Sequence, residues 1–82
     1  MSFIETFNKN YPYFIKRLTK ESSDLTQREI LLCMYLKLNY SNREICKLMN
    51  ISEKTVDSYR HRARKKMGLK RSDSFVSFLN RL

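Results

Sequence analysis

Apolar side chains recur at spacings of three and four along most of the chain, and nowhere with the period of two that a strand requires. The first run carries Ile4, Phe7, Tyr11, Phe14 and Leu18, widened by Phe3 and Ile15 into one continuous stripe. Pro12 interrupts it; lacking an amide hydrogen and biasing Tyr11 away from helical angles, it predicts a break or kink near Asn10, with Pro12 in the first turn of a second piece. Such a stripe can lie across the core of its own domain, or pair with a partner helix or the end of an upstream one. After a polar connector from Glu21 to Leu25, Thr26 and Glu29 have the three-residue spacing of a capping box, opening a helix to about Leu38 with Ile30, Leu31, Met34, Tyr35 and Leu38 inward. Asn39 and Tyr40 turn the chain, since asparagine tolerates the left-handed conformation that ends many helices.

Ser41 and Glu44 repeat the capping box and start a short helix with Ile45, Leu48 and Met49 inward, ending near Asn50. Ser52 caps the next helix, expected from Glu53 to Met67 with Gly68 as its stop. Projected at 100° per residue, Val56, Ala63 and Met67 share one face, with Tyr59 and Arg60 at its flanks, while Lys54, Ser58, His61 and Lys65 line the opposite side. A last segment, starting at Ser72 or Asp73, carries Phe75, Val76, Phe78, Leu79 and Leu82. The pattern predicts an all-α domain of four or five helical segments.

Residues 41 to 68 thus form two capped helices around a tight turn, and five of the seven side chains from Arg60 to Lys66 are Arg or Lys. A basic second helix set by a first one is how small proteins read duplex DNA. The charge balance agrees. Seventeen Lys and Arg against eight Asp and Glu leave a formal +9 on 82 residues, and the excess is lopsided: residues 41 to 82 carry net +7, residues 1 to 40 only +2. A one-sided positive field attracts polyanions, nucleic acid before a membrane surface or an acidic protein.

Other chemistries find little support. Cys33 and Cys46 sit thirteen positions apart in apolar helical stretches, and His61 is the only histidine, so no zinc set with the usual spacing exists and two buried reduced thiols are expected. No paired acids, nucleophile with a base or phosphate loop occurs, so neither an enzyme nor a cofactor or small-molecule ligand is expected. The longest apolar run, Ile30 to Leu36, is too short to cross a bilayer and no leader pattern opens the chain, which points to a cytoplasmic protein with no membrane partner.

Four motifs then carry a family resemblance: LTQREI at 25–30, SNREIC at 41–46, ISEKTV at 51–56 and KKMGLKR at 65–71. In order and interval, residues 25 to 71 resemble the LuxR-type, or GerE-type, helix-turn-helix domain of bacterial transcription regulators. The resemblance implies a four-helix DNA-binding output domain over 25–82, its third helix in the major groove and its fourth often a dimer contact. Residues 1–24 are then an extension that packs on this core or links to an upstream domain. Carried over, the family's base-facing positions fall on Asp57, Ser58 and His61 and its backbone-contacting ones on Arg43, Lys54 and Thr55.

Together with the helical projection, the expected base-facing set is Lys54, Asp57, Ser58, His61 and Lys65. The expected phosphate set is Ser41, Asn42, Arg43, Thr55, Arg62, Arg64 and Lys66, and the dimer candidates are Phe75, Val76, Phe78, Leu79 and Leu82. The chain departs from the family at Asp57, where a basic residue is usual, and at Tyr59, Ala63 and Asn39. Asp57 either accepts from a cytosine amino group or pairs with Arg60 or His61. His61 reads as either a plain surface residue or a base reader. Double-stranded DNA is the expected partner, bound as a homodimer. Two other readings stay open: a sigma-factor region 4 module, which binds promoter elements while touching RNA polymerase, and a helical protein-interaction module.

Overall fold

The computed structural model describes residues 2–82, and these form six helices with no strand. They are α1 Phe3–Asn10, α2 Phe14–Glu21, α3 Gln27–Lys37, α4 Asn42–Met49, α5 Glu53–Lys66 and α6 Phe75–Asn80. The all-helical class is as the apolar periodicity predicts.

Helix starts follow local chemistry closely. Thr26 Oγ1 accepts from the Glu29 amide at 3.1 Å while Glu29 Oε1 accepts from the Thr26 amide at 3.0 Å, and Ser41 and Glu44 do the same at 3.2 and 3.0 Å. Ser52 Oγ accepts from the Thr55 amide at 3.1 Å and so caps α5. The ends of α3, α4 and α5 share one device. Asn39, Asn50 and Gly68 all take positive φ, 65°, 56° and 70°, and just beyond each a backbone amide reaches back: Tyr40 to Tyr35, Ile51 to Cys46, Leu69 to Arg64. Tyr40, Ile51 and Leu69 then pack against the core, so each stop also sets where the chain re-enters it.

Two boundaries differ from expectation. Pro12 lies in the turn before α2, whose N-cap is Tyr13, and not inside its first turn. α6 starts at Phe75 with Ser74 as its cap, because Asp73 Oδ2 is engaged by the Lys70 amide at 2.8 Å in a preceding turn.

α3 is the hub. It packs against α5 and α6, while α4 packs against α5. Leu32, Cys33, Met34, Tyr35 and Leu36 are all buried, five in a row, and Ile30, Leu31 and Leu38 are only partly so. A single inward stripe is therefore the wrong description of this helix, which is covered on every side. α1 and α2 supply part of that cover: Phe7, Phe14 and Leu18 belong to the same buried cluster as Leu32, Val56 and Leu79. Aromatic contacts bind them in, with Phe3 stacked on Tyr35 at 4.8 Å between ring centroids and Phe7 edge-on to Phe14 at 5.3 Å. Ile4, placed on the inward stripe by spacing, faces outward, and Tyr11 covers Phe7 from the surface with its ring centroid 5.1 Å away.

Candidate nucleic-acid interface

Val56 and Ala63 are fully buried and Met67 partly so, which fixes the rotation of α5 about its own axis. Lys54, Asp57, His61 and Lys65 are in consequence exposed in a row along its outer side. Ser58, in the same row, is half-buried and donates its hydroxyl back to the Lys54 carbonyl at 3.1 Å. Fourteen residues make α5 a rod of about 21 Å. That length lets its first turns enter a major groove roughly 12 Å wide while its last turns leave it.

The turn between α4 and α5 is braced from outside the motif. Arg28 at the start of α3 donates to the Met49 carbonyl at 3.2 Å, satisfying one of the open acceptors at the end of α4. Nothing in the sequence marks Arg28 for this, since the contact spans 21 positions.

At the other end, Lys66 does not face outward. Its Nζ lies 2.7 Å from Glu29 Oε1 and 3.0 Å from the Asp24 carbonyl, and the Glu29 side chain is 2% exposed. Burial alone would raise the Glu29 pKa; the Lys66 ammonium and the Thr26 amide outweigh it and hold the carboxyl below its ordinary value. Lys66 thus ties the end of α5 to the start of α3 with its side chain about a quarter exposed, and its ammonium, expected at phosphate, is engaged by Glu29. Glu29 serves that clasp and its own capping box together.

The remaining expected phosphate contacts divide. Arg43 and Arg62 are exposed. Ser41 Oγ is engaged by the Glu44 amide, and the Thr55 hydroxyl lies 3.0 Å from that of Ser52. Arg64 donates to the Lys70 carbonyl at 2.8 Å, with its guanidinium 6.0 Å from the centroid of Phe75.

Asn42 joins the two helices of the motif: its Nδ2 donates to Asp57 Oδ1 at 3.4 Å and its Oδ1 accepts from Arg60 at 3.3 Å. The expected pairing of Asp57 with Arg60 or His61 is replaced by this relay, in which a neutral amide stands between acid and base. Asp57 remains exposed on the outer row.

The expected dimer candidates divide in the same way. Phe75 and Leu79 are buried in the domain's own core, and Val76, Phe78 and Leu82 pack partly against it. The large apolar side chains most open to solvent are elsewhere: Ile4 at the start of α1, Tyr13 at the N-cap of α2, and Leu48 on α4, which had been expected inward. Cys33 is fully buried and Cys46 half-buried, both free. Among the described residues no cluster of metal-ligating side chains occurs, and no helix is long and apolar enough to cross a membrane.

Two capped helices around a three-residue turn, the second turned so that a polar row with a lysine near each end faces out, define a helix-turn-helix DNA-binding domain. The model of the family described as Sigma-70, region 4 matches residues 24–67, more than half of the chain. The chain belongs to that family. No curated protein and no solved structure matches it. The matched stretch runs from the connector before α3 to the end of α5, so α1, α2 and α6 lie outside it. The family that matches is the one the sequence patterns ranked behind the LuxR type; the two share the helix-turn-helix, and the match supports that common part.

Proposed function

We propose that this chain binds double-stranded DNA sequence-specifically as a transcription regulator or the output domain of one, with α5 in the major groove. The observation that carries this reading is the outward row Lys54, Asp57, Ser58, His61 and Lys65, opposite the buried Val56 and Ala63. Side chains near the start of such a helix meet base edges, and the flanking cations Arg43 and Arg62 meet phosphates. Function then lies in binding, without a catalytic step.

A LuxR-type regulator is the finer form of this proposal. It is supported by the KKMGLKR ending and by the further helix α6, both of which continue past Met67, where the region 4 match stops. The family match itself favours a second reading, a promoter-binding module that also touches RNA polymerase. Copurification with core polymerase, absent for a free-standing regulator, separates the two.

Titration of labelled duplex over a range of salt tests the common part. Log affinity is expected to fall linearly with log salt, by about 0.9 for each phosphate neutralised. Absence of binding to any duplex at low salt would refute it.

A further inference from the structure

An open groove of about 750 Å³ runs between the C-terminal half of α5 and the start of α6. Arg60, His61, Arg64, Lys65 and Arg71 line it, over an apolar floor that includes Phe75. The one acid there, Asp73, has its carboxylate engaged by the Lys70 amide. Among the described residues the one ion pair is Lys66 with Glu29, so no cation of this groove is held in a salt bridge, and five basic side chains, counting His61, face one carboxylate.

Compensation of the α5 dipole explains part of this charge, namely Arg64 and Lys65 in the last turn. It does not explain Arg60, further in, or Arg71, which lies beyond the helix. Two of the guanidiniums are held in place: Arg60 and Arg64 each stand 6.0 Å from the Phe75 ring centroid, tethered to Asn42 Oδ1 and the Lys70 carbonyl respectively. Arg71 and Lys65 are exposed at the rim. His61 and Lys65 belong both to this groove and to the outward row of α5, so the two surfaces are continuous. A duplex seated on that row has to carry a sugar-phosphate strand across the groove's mouth. Phosphate suits the cations, and the carbons of deoxyribose suit the apolar floor.

We propose that the α5–α6 groove is a phosphate clamp for the strand that leaves the major-groove contact, with Arg71 as its gripping side chain and the tethered Arg64 as its fixed wall. This rests on the DNA reading above. The clamp lengthens the footprint beyond the bases α5 can reach and adds affinity without sequence preference.

The test uses a duplex centred on a site selected from a random oligonucleotide pool, in which single phosphates are replaced by neutral methylphosphonates. Arg71→Ala should weaken binding to every sequence alike and reduce the slope of log affinity against log salt by about 1. Between 50 and 200 mM salt, the advantage of the wild-type chain over the variant should shrink roughly fourfold. One methylphosphonate outside the base-contacting segment should weaken the wild-type chain clearly more than Arg71→Ala. If the slope is unchanged in Arg71→Ala and no flanking methylphosphonate distinguishes the two proteins, the clamp is refuted while the DNA reading stands. Failure of the wild-type chain to bind duplex at all refutes both. If an acidic peptide binds the wild-type chain but not Arg71→Ala, and duplex binding is the same for both, the groove is a protein-docking site and the clamp is again refuted.

Discussion

Glu29 and Lys66 set the stability of the domain at one point. Lys66→Met strands a carboxylate that is 2% exposed and should cost about 3 kcal/mol in a urea melt, because an unpaired buried charge is expensive. Glu29→Gln should cost less, since glutamine can still close the capping box and the freed ammonium, about a quarter exposed, can turn to water. The pH dependence follows from the lowered Glu29 pKa. Its contribution is fully present above the ordinary value of 4.5 and is lost as pH falls through the folded-state value. Melts below about pH 4.5 should therefore show falling stability with a shallower fall in Glu29→Gln; equal slopes in both proteins would refute the assignment. Cys33 offers a separate check. Burial, reinforced by the Glu29 charge, pushes its thiol up to about 12, so a thiol reagent at neutral pH should label it only at the rate of unfolding, well after the half-buried Cys46.

α4 and α5 act as a unit because Asn42 links Asp57 to Arg60. Asn42→Ala should leave the fold intact, as Asn42 is only half-buried and Ser41 still caps α4, yet broaden the base preference read by selection from a random oligonucleotide pool. Ser58→Ala and His61→Ala should shift that preference, and an unchanged profile in all three would remove the base-facing assignment. The caps and stops that frame these helices were legible in the sequence because they are local: a hydroxyl meets an amide three positions on, and Asn39 or Gly68 must take φ near +70°. The rotation of α5 was legible too, since Val56 and Ala63 lie two turns apart on one face. Other features depend on distant partners. Periodicity assumes one buried face, which α3 does not have. Leu48 was placed inward, but in an eight-residue helix the face is decided by Ile45 and Met49 and leaves it 54% exposed. The clasp of Lys66 spans 37 positions, and a lysine in a basic run gives no sign that it will pair with a buried acid.

The N-terminal helices and the DNA-facing motif share one core, so damage to the first should be felt at the second. Phe14 is 2% exposed, edge-on to Phe7 and far in sequence from α5. Phe14→Ala should cost about 3–5 kcal/mol and weaken duplex binding by lowering the folded fraction, with helix content and tyrosine fluorescence lost in a single coincident transition. Two separate transitions would show that residues 3–21 fold independently. The chain's own core also claims most of α6, and with Phe75 and Leu79 buried in it, light scattering should find a monomer in the absence of DNA. The Asn42 relay has a final consequence, for descent. An acid, an amide and a guanidinium that satisfy one another cannot drift separately without leaving a lone charge or an idle donor. Across the lineage of this chain, positions 42, 57 and 60 should covary, and a lysine at 57 should bring a carboxylate with it at 42 or a neutral residue at 60.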